Sequence, residues 1–156
     1  MRTAVFLEEF QQTYQEWQDL LAQVPPQRMT EPGAAGVWTV KDVIAHVTWG
    51  EREMVGVLKE RALAGSDLWG VSQQERNQAV YEQNRHRSLA DVQQEARQVH
   101  AELWALCQAL SEGELDDPSL FKDMPLDTRP WEYIVGNTYV HYREHMPSIR
   151  QFLNLD

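Results

Sequence analysis

At 156 residues the chain is long enough for one domain with a real hydrophobic core, taken here as residues 1–156. An apolar fraction of 42% and a charged fraction of 24% suit a globular protein in water, and 14 basic against 24 acidic residues leave a net charge of −10. A surface of that sign repels phosphate, which argues against nucleic acid and against anionic membranes as partners. From Phe6, apolar residues recur at Phe10, Trp17, Leu21 and Val24, the stripe of an amphipathic helix that Pro25-Pro26 ends. Met29 to Val37 holds Pro32, Gly33 and Gly36 and reads as a loop.

A second helix opens at Thr39, which can cap it, with Asp42 at the third helical position. Its apolar stripe uses Val40, Val43, Ile44, Val47, Met54 and Leu58, and Ala64-Gly65-Ser66-Asp67 is expected to close it. A short third helix starts at Ser72, with Glu75 three residues on, and runs to about Arg85. The fourth starts at Ser88, and Leu89, Val92, Ala96, Val99, Leu103, Leu106 and Leu110 alternate steps of three and four, the seam of a bundle helix. Ser111 to Arg129, with Gly113, Pro118 and Pro125, has no sustained period; it is either a lid or pocket wall, or a surface excursion. After Pro130, a residue favoured early in helices, one last helix is expected to run to about Phe152.

No stretch approaches the roughly 20 apolar residues of a membrane span. The N-terminal run turns acidic at Glu8-Glu9, too early for a secretory signal, and a single cysteine, Cys107, excludes an intramolecular disulfide. These features predict a cytoplasmic protein. Cys107 is read as a buried thiol of the fourth helix, His86 as a loop histidine and His100 as a packed neighbour of Trp104.

The chemistry concentrates in the last helix. His141 and His145 are four residues apart, which puts both imidazoles on one helix face about 6 Å from each other, near enough to share a metal ion. Trp131, Ile134, Thr138 and Phe152 share that stripe, so the pair faces the bundle interior. Spacing and stripe leave two readings open: metal ligands, or imidazoles packed into a core with hydrogen-bond partners. The zinc-protease pattern HExxH is absent, because Tyr142 stands where its glutamate would be. His46, at the edge of the second helix's apolar stripe, could complete a ligand set, and Gly50 one turn on leaves room for a ligand or a close helix approach. Candidate acid–base groups are Glu53 and Tyr142, and Trp49 and Trp131 are candidate walls of a substrate pocket.

Trp38-Thr39-Val40-Lys41-Asp42-Val43-Ile44-Ala45-His46-Val47 resembles the second-helix signature of the DinB/YfiT-like superfamily, and His141 and His145 match the HxxxH of that family's last bundle helix. The run from Gln73 to Asn77, the run from Asn84 to Leu89, and Gly136-Asn137-Thr138-Tyr139 look closer to the DfsB/ClbS-type branch. The resemblance implies an all-α, up-down-down-up four-helix bundle with one additional short helix. It also implies a homodimer and a divalent metal, nickel or zinc, held by His46, His141 and His145. Activities known in the superfamily include transfer of low-molecular-weight thiols, isomerisation of maleylpyruvate and hydrolysis of reactive small molecules. The DfsB/ClbS branch is associated with self-resistance to a genotoxic metabolite. Many of its members lack the full histidine triad, and its presence here argues against that role. Two functional readings follow: a metal-dependent enzyme of stress or detoxification type acting on a small molecule, or a non-catalytic protein that sequesters a small molecule or a metal.

Overall fold

The computed structural model describes residues 1–63 and 65–155. Its α-helices are α1 (Thr3–Ala22), α2 (Val40–Glu60), α3 (Gln73–Asn84), α4 (Leu89–Gln108), α5 (Pro130–Gly136) and α6 (Tyr139–Phe152). Among the described residues there is no strand, only two isolated bridges, Ala35 with Trp38 and Ala62 with Lys122. The helix starts follow the local chemistry. Thr39 and Asp42 form a reciprocal capping box on α2, Ser72 and Glu75 form another on α3, and the Ser88 hydroxyl accepts from the Asp91 N–H at the head of α4.

Cross-helix contacts fix the topology. On the α1/α6 pair Phe6 meets Tyr139, Arg143 donates to Glu9 and Thr13, and Arg28 donates to the Phe152 carbonyl, so the two helices run parallel. Arg52 pairs with Glu95 and Lys59 with Glu102, which makes α2 and α4 parallel as well. Between the pairs the sense reverses. Thr3 reaches Ser111 while Tyr14 stacks on His100, and His46 sits near His145 while Gly50 lies against Asn137 and His141. This is the up-down-down-up bundle, with α3 lying outside it. Only Val80 of α3 is buried, in keeping with a helix that has no sustained apolar face.

The helix expected over 130–152 is two helices. α5 ends at Gly136, and Thr138 takes backbone angles of φ −125° and ψ −113° before α6 begins. The cause is local competition for carbonyls: the Asn137 side-chain amide donates to Tyr133 O and the Thr138 hydroxyl to Ile134 O, while the Asn137 N–H is shared between Tyr133 O and Ile134 O and the Thr138 N–H turns to Val135 O, three residues back. α2 also stops earlier than expected, at Glu60. Arg61 adopts a left-handed conformation (φ 48°) with its N–H on Val57 O, and the chain then pairs with the segment at Lys122. Ala64, the first residue of the expected stop, lies outside the described residues.

The segment before α5 plugs one end of the bundle. Leu115, Phe121 and Met124 are buried in the main core, Leu63 N–H donates to Lys122 O, and the N-terminal ammonium bonds to Asp116. It docks beyond the end of α2 at Arg61, fifteen positions and about 22 Å of helix from His46. It therefore does not form a lid over the histidines.

Candidate metal centre

Each histidine is delivered by a bundle helix, and the spacing between helices decides whether they meet. α2 comes close to the α5–α6 junction at Gly50: a Cβ there would stand 3.0 Å from Asn137 Oδ1 and 3.2 Å from His141 Nδ1. Glycine permits that approach. The result is a triangle of rings, with centroids 4.8 Å apart for His46–His141, 5.0 Å for His46–His145 and 4.9 Å for His141–His145. One nitrogen from each ring falls in a set whose members all lie within 4.8 Å of one another. His46 and His141 are buried, and His145 is half-buried, the side on which the cluster meets solvent.

The three rings are neutral at pH 7. Burial is the main reason: it brings His46 down to about 4, with further contributions from His145 and Arg76, and it drives His141 well below its usual value, with His46 and His145 adding to the effect. His145 is lowered by burial too. Neutral imidazoles each keep one lone pair, the form in which histidine binds metals. A packed core would give these nitrogens partners. Instead His46 Nε2 and His141 Nε2 share one contact of 2.9 Å, and the Nδ1 atoms of both rings are buried with no hydrogen-bond partner. Three converging neutral nitrogen donors could hold a divalent metal ion.

The surrounding residues differ from those singled out by sequence. Trp38 is the tryptophan against the cluster, 5.3 Å from the His46 ring and nearly parallel to Tyr81 (3°, centroids 6.0 Å apart). Gly36, at φ 60°, makes the tight turn in which Trp38 N–H returns to Ala35 O, and so presents that ring. Trp49 packs on Trp69 at 5.2 Å, and Trp131 packs on the core beside the bundle plug, its N–H on Leu115 O. Glu53 accepts from Trp69 Nε1 at 2.7 Å and from Ser66 N at 2.9 Å, tying the crossover after α2 to the bundle. Tyr142 is buried with its hydroxyl donating to Glu51. Neither candidate acid–base group is hydrogen-bonded to His46, His141 or His145. Cys107 is fully buried and its thiol pushed up to about 12, chiefly by burial, so it is inert at neutral pH.

The histidine burial has a pH consequence for the metal-free protein. An unfolded chain protonates these imidazoles at their ordinary value of 6.5, whereas folded His46 resists protonation until about 4. The unfolded state therefore binds more protons between those values, and stability, complete above about pH 6.5, falls as pH drops through the window. His46 alone accounts for a loss on the order of 3 kcal/mol. Urea midpoints of chelator-treated protein at pH 7.5, 6 and 5 are expected to fall steadily, and His46→Gln to flatten the slope. A midpoint independent of pH over this range would show that the cluster titrates normally.

The fold and the cluster together define a four-helix bundle protein with an inward-facing three-histidine set. Residues 8–149 match the family model described as the DinB superfamily, and the chain belongs to that superfamily. Its fold is similar to that of a protein from Streptococcus pneumoniae, known from a structural-genomics crystal structure, with a TM-score of 0.80 and 17% identity over 99% of this chain and 92% of that one. No curated protein matches the sequence. No helix among the described residues is long and apolar enough to cross a membrane.

Proposed function

We propose that the protein is a metal-dependent enzyme acting on a small reactive molecule, by transfer of a low-molecular-weight thiol to an electrophile or by hydrolysis. His46, His141 and His145 would hold the ion. The observation that carries this reading is the cluster of three neutral imidazoles, each offering one nitrogen to a set within 4.8 Å of one another, with the Nε2 atoms of His46 and His141 2.9 Å apart. Membership of the DinB superfamily supports it. A divalent ion at such a site supplies Lewis acidity that makes a water or a thiol a nucleophile near neutral pH. The residues of the chain contribute the rest. Burial of His46 and His141 keeps protons off the donors, Trp38 and Tyr81 provide an apolar wall at the His46 side, and half-buried His145 marks the approach from solvent. Zinc and nickel are the ions proposed, and we place the protein in the cytoplasm as a homodimer serving stress or detoxification chemistry. The affinity to the DfsB/ClbS-type branch belongs to the same proposal.

A second reading, sequestration without turnover, is favoured by one observation: Glu53 and Tyr142 are both bonded elsewhere, to Trp69 and Ser66 and to Glu51. Assays separate the two. Thiol addition to an activated alkene and hydrolysis of small esters and epoxides are measured on chelator-treated protein and after reloading with zinc or nickel. Turnover that returns on reloading is the expected result. Activity indifferent to chelation overturns the metal-activated nucleophile, and saturable binding without turnover selects sequestration.

A further inference from the structure

A second buried polar group lies on the opposite face of α2. Glu51 is five positions after His46, about 140° around the helix, and is directed between α1, α4 and α6 instead of toward the histidines. It is 3% exposed. Its Oε1 takes the Tyr142 hydroxyl and lies 3.1 Å from His100 Nδ1, which is itself 3.2 Å from the Tyr142 oxygen. His100 is held flat against Tyr14, with centroids 3.3 Å apart and planes 6° apart. Both groups bonded to Glu51 are on Oε1, and Oε2 has no hydrogen-bond or ion-pair partner among the described residues.

Glu51 lines a cavity of about 340 Å³ that none of the three histidines borders. Trp17, Ile44, Val47 and Met29 supply apolar walls, and Tyr14 and Tyr142 supply aromatic ones. Trp17 and Tyr142 are nearly parallel, 14° apart with centroids at 5.7 Å. Arg97 is a cation of the lining but is exposed at the rim and forms no ion pair with Glu51. A carboxylate oxygen that faces a cavity with no donor from the protein is best met by a ligand that brings N–H groups and positive charge. Aromatic faces beside it favour the same charge, and the apolar walls favour a hydrocarbon body.

We infer that this cavity is a binding site for a small organic ammonium compound with an apolar body, its cationic head on Glu51 Oε2 between Tyr14, Trp17 and Tyr142. The site is independent of the histidine cluster. It is tested by calorimetric titration of the full chain, with and without chelator, using 2-phenylethylamine, 2-phenylethanol and 3-phenylpropionate. The amine is expected to bind saturably whether or not chelator is present, at least tenfold more tightly than the alcohol, with the carboxylate weaker still. Glu51→Gln keeps an acceptor for Tyr142 and should weaken amine binding at least tenfold. Ala96→Leu fills the cavity without touching the carboxylate and should abolish binding in a protein whose circular dichroism is unchanged. Equal binding of amine and alcohol overturns the cation assignment. Amine binding unchanged in both variants, or absent from the wild-type chain, overturns the site. Amine binding abolished by His141→Ala/His145→Ala, in a variant that is still folded, would place the amine at the histidines and overturn it too.

Discussion

Wild-type protein loaded with zinc or nickel and dialysed should retain about one equivalent per chain, whereas His141→Ala/His145→Ala should retain essentially none. Two of three donors are lost in that variant, and a lone His46 imidazole in a buried site is a poor ligand. Binding to the folded state also stabilises it. At a free metal concentration about a thousandfold above the dissociation constant, wild-type unfolding free energy should rise by about 4 kcal/mol, and that of the double variant should not change. Glu51→Gln, on the far face of α2, should retain metal like the wild type. Metal analysis and thermal melts with and without chelator read these outcomes. Equal metal content in wild type and double variant would sink the assignment of His46, His141 and His145, whatever the reaction proves to be.

Phe10→Ala should be among the most damaging single substitutions outside the site. Phe10 is fully buried among four rings: Phe6 at 5.7 Å, His100 at 5.2 Å and Trp104 at 5.7 Å, both edge-on, and Tyr142 at 6.3 Å. Deleting the ring leaves a cavity lined by rigid aromatics that cannot collapse into it, so a loss of about 3–5 kcal/mol is expected. For a domain of this size that lowers the midpoint by about 6 to 20 °C. Leu126→Ala, at a residue 74% exposed, should stay within about 0.5 kcal/mol of wild type and serves as the control. A Phe10→Ala loss below about 1 kcal/mol would mean that the aromatic cluster is not the packed unit described.

Much of this architecture was legible in the chain because its signals are local. The caps at Thr39, Ser72 and Ser88 each need only a partner three residues away, and the seam from Leu89 to Leu110 needs only helical periodicity. The break at Asn137–Thr138 interrupts an otherwise helical pattern, and its signal is Gly136-Asn137-Thr138: a glycine followed by two side chains able to bond the carbonyls four residues back. Trp49 shares α2 with His46 and Trp131 falls in the single helix expected to carry His141 and His145, but the ring beside the cluster, Trp38, comes from a turn. Glu51 and His100 gave no sign of their pairing. Each reads as an ordinary residue of its own helix, and their contact spans 49 positions.

By itself the sequence determined the helices other than the break at Asn137–Thr138 and the end of α2, and it placed His141 and His145 on one helix face, because four-residue spacing is a property of the helix alone. The resemblance added His46 as the third ligand. Only the tertiary structure decided that His46 and His141 come within 2.9 Å across 95 positions, that Glu53 and Tyr142 are engaged elsewhere, and that Glu51 is buried beside a separate cavity. The physical reason is that periodicity fixes which way a side chain points from its helix. Which helix stands opposite, and how near, depends on contacts such as that of Gly50 with Asn137, set by packing over the whole bundle.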